Sequence, residues 1–231
     1  MKVVLFDVDN TMIKSTKAHT RAFVESLSKV FGIDFKEEDF ENAGPPGMTD
    51  AEIAIVAGER RGIPRKETLK RTKEISKAMA KSFLTLVENE TLELLPGIRE
   101  FLKGLKTRSF TLGLMTGNFE KIAWIKLKKV GIDSFFSFGV FGGEAENKAE
   151  MGKVAIKKIR GLFNKEPPFI CVIGDTPRDV EAGKRIGAKT IAVATGSASE
   201  RELKRAKPDL LLKNLEDYIF ALIWILKASG V

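Results

Sequence analysis

Near the start of the chain four apolar residues stand together, Val3-Val4-Leu5-Phe6, and Asp7-Val8-Asp9-Asn10-Thr11 follows at once. An unbroken apolar run with β-branched members suits a strand covered on both faces, as in a parallel sheet. Comparable runs recur at residues 110–115, 169–173, 190–193 and 210–212, with a further strand expected near Phe135-Phe136-Ser137-Phe138. Between them the apolar residues return every three or four positions, predicting helices over about 98–105, 120–130, 149–163, 180–186 and 199–206. Strands alternating with helices predict an α/β fold, a three-layer Rossmann-like core with a parallel sheet covered on both sides.

Residues 15–93 break that alternation. Ala22, Phe23, Leu27, Val30 and Phe31 give helical spacing up to a stop at Gly32, and residues 35–43 read as a brief second helix ended by Gly44-Pro45-Pro46-Gly47. Thr49 with Glu52 forms a capping box that opens a third helix, whose apolar side is Ile53, Ile55, Val56 and Ala57. Pro64 marks the start of a long amphipathic fourth, with Leu69, Ile75, Met79, Phe83 and Leu86 facing inward. The stretch contains no convincing strand. It is expected to be an α-helical cap (15–93) inserted into a core made of residues 1–14 and 94–231, with the return to the core at Leu94-Leu95-Pro96-Gly97.

Composition narrows the chemistry. One cysteine, Cys171, lies inside an apolar run, and one histidine, His19, stands alone, so a Cys/His metal cage is excluded and oxygen ligands remain, for which Mg²⁺ is the natural ion. The net charge of +8 comes from Lys and Arg spread among Glu, as in Glu59-Arg60-Arg61 and Arg65-Lys66-Glu67, the pattern of solvated helix faces. Aromatic residues do not interleave with the bases, so no nucleic-acid partner is expected. The longest apolar run, residues 218–226, is shorter than the roughly 18 residues of a membrane span and is expected to be a buried C-terminal helix. With Met1-Lys2 leading directly into the first strand, no signal peptide and a cytoplasmic location are expected.

Asp7 stands at a strand's carboxyl end, the edge where open α/β sheets bind ligands. The acids after it suit a metal and a phosphate, and equally a simple turn, since Asp and Asn favour turns. Taken jointly with later stretches the pattern resembles the haloacid dehalogenase-like superfamily of phosphatases. Asp7-Val8-Asp9-Asn10-Thr11 matches its DxDxT motif, Thr116 of Thr116-Gly117-Asn118 its strand-end Thr or Ser, Lys148 its basic residue, and Gly174-Asp175-Thr176-Pro177-Arg178-Asp179 its GDxxxD motif.

The resemblance implies a Mg²⁺-dependent phosphatase, similar to phosphoglycolate phosphatases, that hydrolyses a small phosphorylated metabolite through an aspartyl-phosphate. Asp7 would be the nucleophile and Asp9 the general acid and base. The metal would be held by the Asp7 carboxylate, the Asp9 carbonyl and Asp175. Thr116, the Gly117 and Asn118 backbone N–H groups and Lys148 would bind the phosphoryl group, and Asp179 would bind metal-ligated water or orient Lys148. Asp9 argues against dehalogenase and phosphonatase relatives. The spacing of His19 from Asp7 resembles the cap-hinge histidine of β-phosphoglucomutases, so a sugar-phosphate mutase is the alternative, against which Thr11 follows the phosphatase form of the motif. A catalytically silent binding protein on the same fold is a third reading. Selectivity is assigned to the cap loop 42–50, with Thr49 and Asp50 as candidate substrate or cap contacts.

Overall fold

Strand and helix segments alternate in the computed structural model, which describes every residue except Asn89, Lys165 and Val231. Six strands, β1 (Lys2–Phe6), β2 (Phe110–Thr116), β3 (Phe138–Phe141), β4 (Phe169–Gly174), β5 (Lys189–Val193) and β6 (Leu210–Leu212), form one sheet in the order β3-β2-β1-β4-β5-β6. Every neighbouring pair is parallel. β1 occupies the middle because both of its faces are apolar: Val4 and Phe6 pack into one side layer, Val3 and Leu5 into the other. Phe6 lies opposite Leu114 of β2 and Ile173 of β4, so the residues that leave these three strands emerge together at one edge. Strand order reverses between β1 and β4, which opens a crevice there.

The chain leaves the sheet after β1 into four consecutive helices: α1 (Lys17–Phe31), α2 (Glu37–Glu41), α3 (Asp50–Arg60) and α4 (Arg65–Val87). Local signals set their ends. Thr16 caps α1 by accepting from the Ala18 N–H, Gly32 closes it with φ 68°, and the Thr49/Glu52 capping box opens α3. The outgoing and returning strands of chain are joined: Ile13 bridges to Leu94, and the Leu95 N–H donates to the Met12 carbonyl at 2.8 Å. The core helices follow as α5 (Ile98–Lys106), α6 (Glu120–Lys129), α7 (Lys148–Phe163), α8 (Pro177–Arg185), α9 (Glu200–Ala206) and α10 (Tyr218–Ala228). α5, α6 and α10 cover the Val4/Phe6 face, while α7 and α8 cover the Val3/Leu5 face.

Two expected burials are corrected. Leu69 is 51% exposed, because the buried line on α4 runs through Thr68, Ile75, Met79, Phe83 and Val87; Leu69 lies one residue, about 100° of helix rotation, off that line. Residues 218–226 do form a helix, but α10 buries only Ala221, Leu222 and Ile225, leaving Ile219, Phe220 and Ile223 about half exposed. Among the described residues no helix is long and apolar enough to cross a membrane.

Candidate active site

The edge formed by β1, β2 and β4 gathers the acidic residues. Asp7 follows β1 and its N–H donates to the Ile173 carbonyl of β4 at 2.9 Å, which fixes the residue at the crevice. Lys148 is the first residue of α7, where Asn147 caps the helix, and its buried Nζ donates to Asp7 Oδ2 at 2.9 Å. The same Nζ lies 2.8 Å from Asp179 Oδ1 as an ion pair. Asp179 is held in place by the turn it caps, since its Oδ2 accepts from the Thr176 N–H at 3.1 Å and the Thr176 hydroxyl at 2.5 Å. Asp175 follows β4, and its Oδ1 accepts from the Thr11 hydroxyl at 3.1 Å.

Packing three carboxylates beside one lysine shifts Asp7, Asp175 and Lys148. Burial raises Asp7 to about 6, with Lys148 opposing and Asp179 adding to the rise. Asp175 is raised to about 8 by burial and then by the charges of Asp7 and Asp179. Burial works against the charged form of Lys148, but Asp179, Asp7 and Asp175 outweigh it and hold its proton beyond the usual lysine range. One oxygen each of Asp7, Asp175 and Asp179 lie within 4.8 Å of one another. Asp179 Oδ1 is buried with the Lys148 ammonium as its charged partner. Three carboxylates around a single ammonium leave an excess of negative charge that a hard divalent cation relieves, so the donor set fits such an ion.

Asp9 points to a different partner, one that no motif names. Lys126 of α6 is fully buried, and its Nζ donates to Asp9 at 2.6 and 2.7 Å, to Asn118 Oδ1 at 2.7 Å and to His19 Nδ1 at 3.0 Å. Three donors thus meet three partners. Asn118 Nδ2 donates in turn to Asp9 Oδ2 at 2.7 Å. Burial would raise Asp9, yet the charge of Lys126 and the hydrogen bonds from Lys126 and Asn118 reverse the sign and hold its carboxyl below the usual range. With Nδ1 accepting, His19 Nε2 donates to Asp50 Oδ1 at 3.1 Å, and Asp50 Oδ2 accepts from the Phe119 N–H at 2.7 Å. A signal for Lys126 was present: it falls on the apolar stripe of α6 with Ile122, Ala123 and Leu127. A lysine there cannot be a solvated one.

A cavity of about 580 Å³ opens over Asp7, Asp9, Lys148 and Asp175. Gly117 and Asn118 line it, and the cap loop supplies Ala43, Pro45, Pro46 and Met48. The structure gives partners to three of the expected residues. Thr116 is wholly buried beneath Asn118 and accepts from the Asn118 N–H at 3.3 Å, so that N–H is engaged and the Asn118 side chain serves Asp9. Thr49 is buried, does not line the cavity, and spends its hydroxyl on the Glu52 N–H. Asp50 reaches the cavity with both oxygens already paired, as a tie between cap and core. Sequence reading also passed over Gly196, where a Cβ would stand 1.7 Å from Asp175 Oδ2. Cys171 is buried in β4, and burial pushes its thiol up, away from nucleophilic use.

Comparison with known proteins places this geometry. A family model described as haloacid dehalogenase-like hydrolase matches residues 1–187. A protein of Aquifex aeolicus named phosphoglycolate phosphatase is 27% identical over 221 residues, covering 95% of both chains. Pyrophosphatase PpaX of Halalkalibacterium halodurans is 25% identical over 220 residues, again covering 95% of each. The crystal structure of β-phosphoglucomutase from Clostridium difficile superposes with a TM-score of 0.72 at 21% identity, covering 100% of this chain and 97% of that one, which shows the shared fold. Strand order, acid cluster and family match agree, and the chain belongs to the haloacid dehalogenase-like hydrolases, where it stands with the phosphatases.

Proposed function

We propose that the protein is a Mg²⁺-dependent phosphatase that hydrolyses a small organic phosphate monoester through a phosphorylated Asp7. The observation that supports this most is the buried constellation of Asp7, Asp175 and Asp179 around Lys148, of which Asp7, Asp175 and Lys148 line a cavity shared with the apolar loop 43–48. A cation bound by Asp7, the Asp9 carbonyl and Asp175 would supply charge neutralisation between a carboxylate nucleophile and a phosphate dianion. Asp7 attacks phosphorus in line, which divides one difficult displacement into two. Lys148, anchored by Asp179, pairs with the phosphoryl oxygens and keeps Asp7 aimed. Asp179 thereby takes the orienting role of the two that the motif allows.

Asp9 gives its proton to the leaving oxygen and then takes one from the attacking water, work that contributes roughly 10² to 10⁴ in rate. In the ligand-free arrangement Asp9 is the ionised partner of Lys126. A phosphate dianion arriving beside it favours uptake of the proton it must donate. Residues 15–93 act as the cap, excluding water during transfer. The relatives' named substrates, phosphoglycolate and pyrophosphate, and sugar phosphates are the compounds to try first. A mutase of the β-phosphoglucomutase type is the second reading, favoured by the contact of His19 with the cap residue Asp50. A cytoplasmic location belongs to the same proposal.

The test is release of inorganic phosphate from a panel of phosphate esters with Mg²⁺ and after chelation. Mg²⁺-dependent release is expected. Its absence on every ester sinks the phosphatase reading, and phosphate returned to a second position of a sugar establishes the mutase.

A further inference from the structure

We infer that Lys126 is a positioning residue for Asp9 and that it links the setting of Asp9 to the place of the cap. This inference rests on the phosphatase reading above and concerns a residue outside the four motifs. Lys126 comes from the core helix α6, carries 0% exposure, and is joined to both Asp9 oxygens, to Asn118 and to His19. A lysine is almost never fully buried without pairing, because its ammonium must replace all the hydrogen bonds that water gave it. Here each replacement is a residue of the cavity wall, as Asp9, Asn118 and His19 all line it.

The linkage forms a closed circuit. From Asp9 it runs through Lys126 to His19 on α1, then to Asp50 at the start of α3, and returns to the Phe119 N–H. Phe119 is the N-cap of α6, the helix that carries Lys126. Two of the members, His19 and Asp50, belong to the helices inserted after β1, and the rest belong to the core. A rigid shift of those helices therefore breaks the circuit at His19 and at Phe119 together, and removes one of the bonds that fix the lysine between Asp9 and Asn118. The Asp9 carboxyl keeps its bonds to Lys126 and Asn118, but the ammonium that aims it has lost the His19 bond that sets its own position. With α1 and α3 seated, Lys126 has its full set of partners, and Asp9 is held between Lys126 and Asn118 from one fixed position.

In the transfer step the bond from phosphorus to the leaving oxygen breaks, its electron pair stays on that oxygen, and the Asp9 proton passes to it. An ester with a strongly basic leaving group needs that proton, whereas an ester such as p-nitrophenyl phosphate can depart with little help. A misplaced Asp9 thus appears as a leaving-group dependence, which a general loss of packing does not produce.

The experiment measures kcat/KM over a series of aryl and alkyl phosphates of rising leaving-group pKa, for wild type, Lys126→Met, Asp9→Asn and the double variant. Lys126→Met is expected to lose only a few-fold on p-nitrophenyl phosphate and about 100-fold on the alkyl esters, the span of a general acid. In the Asp9→Asn background it should add no further dependence, because it acts through Asp9. His19→Gln and Asp50→Asn, which leave the Lys126 to Asp9 pair in place, should steepen the series in part and keep the inference testable if Lys126→Met does not fold. Equal losses on all esters in the folded variants overturn it, as does an added slope in the Asp9→Asn background. If wild type releases no phosphate from any ester, the phosphatase reading fails instead.

Discussion

At the scale of single residues the site is a set of charges whose burial forces each to find a partner. Asp7 has Lys148, Asp9 has Lys126, and Asp175 has, among the described residues, a single side-chain hydrogen bond, from the Thr11 hydroxyl. Asp7→Asn is expected to lower phosphate release by at least about 10³-fold, since an amide cannot replace the anionic nucleophile. Its melting temperature should stay within a few degrees of wild type, because a carboxyl already raised to about 6 by burial gains from losing its charge what Lys148 loses. Measured release near the wild-type rate would rule out Asp7 as nucleophile. Gly196→Ala puts a methyl group into Asp175, and no side chain other than hydrogen fits against that oxygen. Calorimetric titration should show Mg²⁺ binding weakened at least about tenfold in this variant, as for loss of an oriented ligand; unchanged affinity would mean that Asp175 is not a ligand.

The element scale decides where the cap loop meets the core. Thr49 and Glu52 cap each other, and Arg178 of α8 donates to Glu52 Oε1 at 2.9 Å, so the start of α3 is clamped to the core. Thr49→Ala should therefore destabilise by about 1 kcal/mol, the usual value of a lost N-cap. Because Thr49 does not face the cavity, kcat/KM should fall by a similar factor on every ester. Met48 does face it. Met48→Ala should change the ratio of kcat/KM between bulky and small esters, and an unchanged ratio would remove the loop from the specificity argument.

For the whole molecule the acid cluster ties stability to pH and to metal. Asp7 and Asp175, raised from 3.8 to about 6 and about 8, bind their protons more tightly folded than unfolded. Wherever the native state holds more protons, stability falls as pH rises. The metal-free protein should accordingly lose melting temperature between about pH 4 and pH 8 from these two groups. Lys148, raised from 10.5, contributes stability that is lost only above that value, and Asp9, lowered from 3.8, loses its contribution only below it, so neither opposes the trend. Mg²⁺ replaces the protons as the neutralising charge and should raise the melting temperature more at pH 8 than at pH 5. A chelator-treated protein whose stability climbs over the same range would contradict the acid cluster as drawn.

Strand positions, helix caps and the acids after β1 and β4 were legible along the chain because each depends on near neighbours. Apolar runs mark strands buried on both faces, Thr49 with Glu52 marks a helix start, and DxDxT and GDxxxD hold their residues at fixed spacing. The burial of Lys126 could be read from the apolar stripe of α6, but its partner could not, nor could the role of Gly196 or the double bonding of Asp50, because Asp9, Asp175 and Phe119 lie 117, 21 and 69 positions away. Sequence also could not separate the faces of α10, since residues 218–226 are apolar without a break and only the packing of α5 chose which side to cover. Local chemistry thus fixed the elements and the strand-end place of the proposed nucleophile, while the burial of charge in the assembled crevice decided which lysine serves which acid.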